Sequence, residues 1–396
     1  MKINKTTAIT IAVTAVVTCL ATNTVRDYMF LNNNAKVVKK ISDITEIIMD
    51  NSIYSADADL MADNAATALV ATIGDKYTRY LNKEEYKQHS DSISSGYFGV
   101  GLTLTSDFVT GKVSVYECAE DGPSARAGVQ VGDILTSVDG QECNSEKLSE
   151  LISYIKSKEV GTDIILGVLR DGEALEFVAP FEEIQTNSVS GQMLSGDTGY
   201  VKIDSFKGNL NKDSRTAYDD FVDKVNELRN EGMTKLVIDL RDNPGGEFGV
   251  VASITDEILD SGLITYTEDK NGKRSELNAT SGGYNYPMVI ITNGNSASAS
   301  EILTAALQDN GKAVVVGERT FGKGVVQTVR RLFDGSGIIV TSSRYFTPNG
   351  ICIDGIGIEP DVECKLPEGK TPADYTVEND PQIAKALEVL KVLINK

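Results

Sequence analysis

The chain of 396 residues carries a single histidine, His89. Zinc sites built from several imidazoles are therefore excluded, and any Ser-His-Asp arrangement would have to use that one residue. Basic charge is also short: 38 Lys plus Arg face 57 Asp plus Glu, a formal net charge of −19. The broad cationic footprint that nucleic-acid phosphates require is absent, and no nucleic-acid partner is expected. The five cysteines, at positions 19, 118, 143, 352 and 364, show no C-x-x-C spacing. That argues against a zinc ribbon or a thioredoxin-like redox motif; pairing of Cys118 with Cys143, or of Cys352 with Cys364, stays open outside the cytosol. With 41% apolar and 24% charged residues the chain is no disordered polymer, and its length suits two or three domains.

Lys2 and Lys5 precede an uncharged run from Thr6 to Val25, closed by Arg26 and Asp27. This pattern sends the remainder of the chain across a membrane and leaves the N-terminus inside. The strongly apolar part, Ala8 to Ala21, is nearer to a signal-peptide core than to a full span, so an anchor and a cleaved signal both stay open. The lack of a clear A-x-A site favours an anchor over residues 1–27. Val-Val-Thr before Cys19 is a poor lipoprotein site.

Residues 28–89 read as helices, with Val37, Val38, Ile41, Ile44, Ile47 and Ile48 at three- and four-residue steps, and Leu60 to Ile73 likewise before Gly74-Asp75. They suit a helical spacer or amphipathic helices that form a homodimer. Residues 90–184 change to short strands and turns around one helix, Ser145 to Ser157, with tight turns at Asp139-Gly140 and Asp171-Gly172. Residues 185–396 alternate strands with helices, which implies an α/β core with a largely parallel sheet.

Chemistry concentrates in three loops of that last region. Asn293–Glu301 follows the apolar strand Pro287–Thr292 and runs straight into a helix, so Ser298 sits at a helix N-terminus beyond a strand's carboxyl end. There a hydroxyl can attack while the next backbone N–H receives an oxyanion. Ser298 with Glu301 three residues on also fits a capping box, which would make the serine a helix cap and nothing more. A serine nucleophile needs a base. His89 lies far upstream in a polar helical stretch, so the candidates are carboxylates or a lysine.

Lys323 stands between Ala313–Gly317 and the β-branched run Val325–Val329. If that run is a strand, Lys323, Val325, Gln327 and Val329 share one face and Gln327 can hold the ammonium. To act as a base, the lysine must drop from a pKa of about 10.4 to roughly 7 or 8, which costs about 3 to 5 kcal/mol and requires a dry pocket. Gly317–Lys323 also fits the start of a phosphate-binding loop, but Gly324 replaces the magnesium-binding Ser or Thr and a strand follows where a helix is required. Leu240–Gly246 joins a strand to the next helix, and Gly245 or Gly246 can bring a second N–H close to a ligand. Asp239 and Asp242 lack further ligands for a metal, and no metal or cofactor is expected. In the middle region, Tyr97–Leu102 sets a glycine-rich turn before a strand, where a chain terminus could bind with its carboxylate on the turn's N–H groups.

At these residues the sequence resembles the carboxyl-terminal processing peptidases, or tail-specific proteases, over about Leu60 to the C-terminus. The matching segments are Gly74–Tyr80, Tyr97–Leu102, Gly122–Gly128 with Val131–Leu135, Asp239–Gly246, Asn295–Glu301, Gly317–Gln327, and Tyr345–Gly350 with Asp354–Asp361. The resemblance implies a PDZ domain at 90–184 inserted before an α/β serine protease core at 185–396 that ends in a helix. It implies Ser298 as nucleophile, Lys323 as general base and Gln327 as the residue orienting the lysine. Ala299 with Gly245 or Gly246 would form the oxyanion hole, and Phe98, Gly99, Val100 and Gly101 would meet the substrate carboxylate. It further implies a serine endopeptidase that takes the C-terminal tails of extracytoplasmic proteins. The membrane segment would hold it as a single-pass protein, or it would be secreted if that segment is cleaved. The alternative is a membrane-tethered PDZ protein that captures tails on a catalytically silent scaffold.

Overall fold

The computed structural model describes residues 35–93, 96–107, 109–119, 121–185, 187–194, 196–209, 214–280 and 282–394. The apolar run Thr6–Val25 expected to meet a membrane, and Cys19 within it, lies outside these residues. Among the described residues no helix is long and apolar enough to cross a membrane. The four described cysteines, Cys118, Cys143, Cys352 and Cys364, are free, so neither open pairing is formed.

The described chain divides into two units after Asn82. The first holds helix α1 over residues 35–51, helix α2 (Ala58–Ala71) and strand β1 (Arg79–Leu81). Asp57 starts α2 from an extended backbone, its carboxylate accepting from the Leu60 N–H at 3.0 Å.

The second unit opens with helix α3 (Lys83–Ile93) and strand β2 (Gly96–Gly99). Then come β3 (Leu102–Ser106), β4 (Val113–Cys118), helix α4 (Pro123–Ala127), β5 (Ile134–Val138), β6 (Gln141–Glu142), helix α5 (Leu148–Lys156), β7 (Asp163–Arg170), β8 (Glu173–Pro180) and β9 (Glu182–Gln185). Strands β2 and β9 pair antiparallel, so the chain enters and leaves this β-rich body side by side. Between them an antiparallel sheet runs β3-β4-β5-β7-β8, with β6 on β5. Asp139-Gly140 and Asp171-Gly172 adopt positive φ, as the tight turns of the β5–β6 and β7–β8 hairpins demand. Val113, Leu135, Ile164, Leu166, Val168 and Phe181 fill its core.

The remainder contains β10 (Val189–Met193), β11 (Thr198–Ile203), helix α6 (Ala217–Asn230), β12 (Lys235–Asp239), helix α7 (Phe248–Ile258), β13 (Gly262–Asp269) and β14 (Arg274–Ala279). It continues through β15 (Met288–Thr292), helix α8 (Ala299–Asp309), β16 (Ala313–Gly317), β17 (Val325–Arg331), β18 (Gly337–Phe346), β19 (Val362–Glu363) and helix α9 (Pro381–Ile394). One sheet runs β10-β11-β12-β15-β16-β19, antiparallel at β10–β11 and parallel beyond. Its central strands are apolar on both faces, as helices on both sides require. Leu236, Ile238, Met288 and Ile290 pack with α6, α7 and α8, while the alternate residues Val237, Val289 and Ile291 pack with Ile383, Ala386 and Leu390 of α9.

The expected largely parallel core needs correction. A second sheet pairs β17 with β18, β18 with β13 and β13 with β14, all antiparallel, so the core is mixed α/β. The β13–β14 and β17–β18 links are short hairpin connections, which cannot carry the crossover that parallel neighbours need.

Candidate active site

The parallel strands deliver three loops to one end of their sheet. The loop after β12 carries Arg241–Glu247, the loop after β15 carries Asn293–Ser298, and the loop after β16 carries Glu318–Gly324. Hydrogen bonds lace the three together. The Ser296 hydroxyl donates to Leu240 O at 2.8 Å, Ala297 N to Asn243 O at 3.0 Å, and Phe321 N to Ser296 O at 3.0 Å. Asn243 is buried at the centre: its amide donates to Ile203 O at 2.8 Å, and its oxygen accepts from Gly245 N at 2.9 Å.

Ser298 does sit at the N-cap of α8, but not in an ordinary cap conformation. The caps Asp57 and Thr216 are extended, at φ −89° and −120°, whereas Ser298 has φ 58° and ψ −113°. A non-glycine residue there is strained, and such strain persists only where surrounding contacts impose it. Tyr345 supplies one, its hydroxyl donating to Ser298 O at 3.2 Å.

Glu301 supplies the others. Its place three residues after Ser298 predicts half of a capping box, and its Oε2 does accept from Ser298 N at 2.8 Å. The same oxygen accepts from Lys323 N at 2.8 Å, so the amide nitrogens of Ser298 and Lys323 are at most twice that distance apart. Oε1 accepts from the Thr320 hydroxyl at 2.6 Å and from Gly322 N at 2.7 Å. Glu301 is fully buried, and desolvation holds its pKa above the ordinary glutamate range against the lowering effect of those four donors. One carboxylate thus fastens the serine turn to the lysine loop.

Ser298, Ala299, Lys323, Gln327, Gly245 and Gly246 line one cleft of about 590 Å³, together with Phe248, Ile302, Val325, Val326 and Tyr345. Strict alternation along β17 does not hold: the register shifts between Val326 and Gln327, and Val325, Val326, Gln327 and Val329 all line the cleft. Gly245, at φ 106°, lies against the serine turn: a β-carbon on it would stand 2.8 Å from the Ser298 β-carbon and 3.0 Å from Ala299 N. The glycines differ in what their N–H groups do. Gly245 N is spent on the Asn243 side chain, while among the described residues Gly246 N makes no hydrogen bond.

His89, on α3 and remote in the chain, lines the same cleft. The cleft lining does not include Phe98, Gly99, Val100 or Gly101. These lie at the end of β2 and in the turn to β3, an edge strand of its sheet. Val100 is buried in the β-domain core and its carbonyl accepts from Ser124 N at 3.1 Å, while Phe98 lies 6.5 Å from Phe181, ring to ring. Asp239 and Asp242 are also separated in role. Asp239 is buried against Arg241, with Nη2 to Oδ2 at 2.6 Å, and Arg241 continues to Asp380 at 2.7 Å. Asp242 is exposed and accepts from Asn293 and Asn295 at 2.9 and 2.8 Å. Among the described residues no group of three His, Cys, Asp or Glu is placed to hold a metal ion.

Residues 197–364 match the model of peptidase family S41, and residues 96–179 match a PDZ domain. The chain is 34% identical over 329 residues to carboxyl-terminal-processing peptidase 3, chloroplastic, of Arabidopsis thaliana, covering 79% of this chain and 61% of that one. It is 31% identical over 372 residues to a protein named "Probable CtpA-like serine protease" of Staphylococcus aureus (strain COL), covering 91% of this chain and 71% of that one. The solved photosystem II D1 C-terminal processing protease is 28% identical at a TM-score of 0.47, covering 82% of this chain and 86% of that one.

Proposed function

Because the chain belongs to peptidase family S41, the serine-type carboxyl-terminal-processing peptidases, we propose that Ser298 and Lys323 form its catalytic pair and that it cleaves proteins presented by their C-terminal tails. The observation that carries the pairing is the Glu301 carboxylate shared by the backbone N–H groups of both residues. A neutral Lys323 amine takes the Ser298 proton as the hydroxyl oxygen attacks a peptide carbonyl. The N–H groups of Ala299 and Gly246 hold the oxyanion, at the positive end of α8. Gly246 rather than Gly245 fills this role because Gly245 N already donates to Asn243. Lys323 then protonates the leaving amine, and water hydrolyses the ester. Gln327, on the same cleft wall, orients the lysine.

The PDZ domain supplies the grip on the tail. Strand β3 is at a sheet edge with α5 in the same domain, so a peptide can add as a further strand while its carboxylate meets the turn at Phe98–Gly101. The basic residues and apolar run at the N-terminus support an extracytoplasmic protease domain held at the cell membrane.

The test is cleavage of an unfolded protein by the purified chain. Ser298→Ala, Lys323→Ala and Lys323→Arg should each lose cleavage with unchanged circular dichroism, since arginine stays charged and cannot be a base. His89→Ala should keep cleavage of the same order as the parent. Full activity of Lys323→Arg, or its loss in His89→Ala alone, would move the base to the histidine. No cleavage by the parent, with tail binding intact, would favour the silent PDZ scaffold.

A further inference from the structure

The motif Asp354–Asp361 takes no part in the acyl-transfer chemistry, yet it lies against the loop that carries Lys323. That loop, Thr320–Gly324, belongs to no helix or strand, so its shape rests on where its backbone groups are bonded. All five of its N–H groups donate. Gly322 N and Lys323 N go to Glu301 at 2.7 and 2.8 Å, and Phe321 N to Ser296 O at 3.0 Å. The two end groups go elsewhere: Thr320 N donates to Ile358 O at 3.1 Å, and Gly324 N to the Asp354 carboxylate at 3.3 Å. Between them, Gly355 N donates to Gly322 O at 2.9 Å.

The segment that grips both ends is itself firmly seated. Ile353 and Ile358 are buried in the protease core, and Ile356 N and Gly357 N both donate to Ile353 O, at 2.9 and 3.0 Å, closing a tight turn. The Asp361 carboxylate accepts from Val315 N at 2.8 Å, which ties the segment to β16, the strand that feeds the lysine loop. Contact with the loop is close: a β-carbon on Gly322 would stand 2.9 Å from Gly357 N and 3.0 Å from Ile356 N, so only a glycine lets the two backbones meet. The Thr320 hydroxyl joins the two supports, donating to Glu301 Oε1 at 2.6 Å and accepting from Ile358 N at 2.7 Å. The loop is thus held by Glu301 within and by Asp354–Ile358 at its ends.

Resting on the peptidase reading, we propose that Asp354 is a positioning residue for Lys323: with Ile358 it clamps the ends of the lysine loop and so sets the reach of the amine toward Ser298. Proton transfer needs its donor and acceptor held in register, and a displacement of about 1 Å can cost about 100-fold in rate. Substrate binding along the rest of the cleft does not depend on that register, so the clamp acts on kcat and leaves KM alone.

The experiment follows cleavage of an unstructured peptide by the full chain, in steady-state kinetics well below each variant's melting temperature. Asp354→Ala removes the acceptor for Gly324 N and should lower kcat about tenfold or more, with KM within about twofold of the parent. Asp354→Asn keeps an oxygen there and should restore most of the loss. Thr320→Val, which deletes the hydroxyl between Glu301 and Ile358 N, should likewise lower kcat, and Thr320→Ser should restore it. Phe221→Leu, on the buried face of α6, is the control for general destabilisation and should keep the parent kcat while folded. Parent kcat in a folded Asp354→Ala protein, a loss that Asp354→Asn shares in full, or a loss confined to KM would overturn the assignment. So would an equal fall of kcat in Phe221→Leu, which would make the effect one of stability alone. If Asp354→Ala does not fold, the Thr320 pair decides, and parent kcat in Thr320→Val overturns the clamp. A parent that cuts neither the peptide nor an unfolded protein would defeat the peptidase reading itself, whereas an active parent indifferent to these changes defeats only the clamp.

Discussion

Glu301→Gln isolates the fastening of the nucleophile to its base. Glu301 receives four donors on two oxygens, Thr320 and Gly322 on one and Ser298 and Lys323 on the other, at 2.6 to 2.8 Å. Only an ionised carboxylate is acceptor at both ends. Glutamine keeps one oxygen and sets an NH₂ group against the other pair of donors, so two hydrogen bonds to a charged acceptor are lost. At about 1.5 to 3 kcal/mol each, the change removes about 3 kcal/mol or more from the local arrangement. If the amide turns toward Ser298 and Lys323, their turns separate and kcat falls by about 100-fold, with KM for a peptide little changed. Desolvation raises the folded pKa of Glu301, so between its unfolded and folded values the folded state binds more protons. The contribution of this group to stability is therefore full at low pH and lost as pH rises through the folded pKa. Steady-state kinetics and denaturant melts from acid to neutral pH measure both. Unchanged kcat in a folded Glu301→Gln protein would refute the reasoning.

Two further outcomes follow from the same loops. Gly245→Ala places a β-carbon 2.8 Å from the Ser298 β-carbon at φ 106°, so kcat should fall by about 10- to 100-fold for a strain of about 1 to 3 kcal/mol, read in peptide turnover. Asp380→Asn removes a buried partner of Arg241 that also accepts from Gln382 N and Ile383 N at the start of α9. Leaving Arg241 and Asp239 without it should cost about 3 kcal/mol in a urea melt.

Much of this site was legible along the chain because its parts sit in local motifs. A strand, a small-residue turn and a helix mark Ser298, and Pro244-Gly245-Gly246 marks a loop that must come close to something. Lys323 and Gln327 stood out by their place before and within a β-branched run, though the bulge at Val326 broke the alternation used to align them. What stayed hidden depended on distant contacts. Glu301 satisfied a local capping rule, which gave no sign of its bonds to Thr320, Gly322 and Lys323. His89 was set aside for its distance along the chain, yet α3 brings it to the cleft, because the β-rich body is an insertion whose ends, β2 and β9, lie side by side. The second sheet escaped for a related reason: β13 and β18 pair across an intervening α/β stretch, and neither strand's pattern names its partner.

The central claim is that Lys323 activates Ser298. Its most direct measurement is the rate at which a serine-reactive phosphonate labels the purified chain, with the modified residue located by mass spectrometry. The parent should carry the label on Ser298 alone, and Lys323→Met should lose nearly all labelling while remaining folded. Labelling at another residue, or at Ser298 with undiminished rate in Lys323→Met, would contradict it.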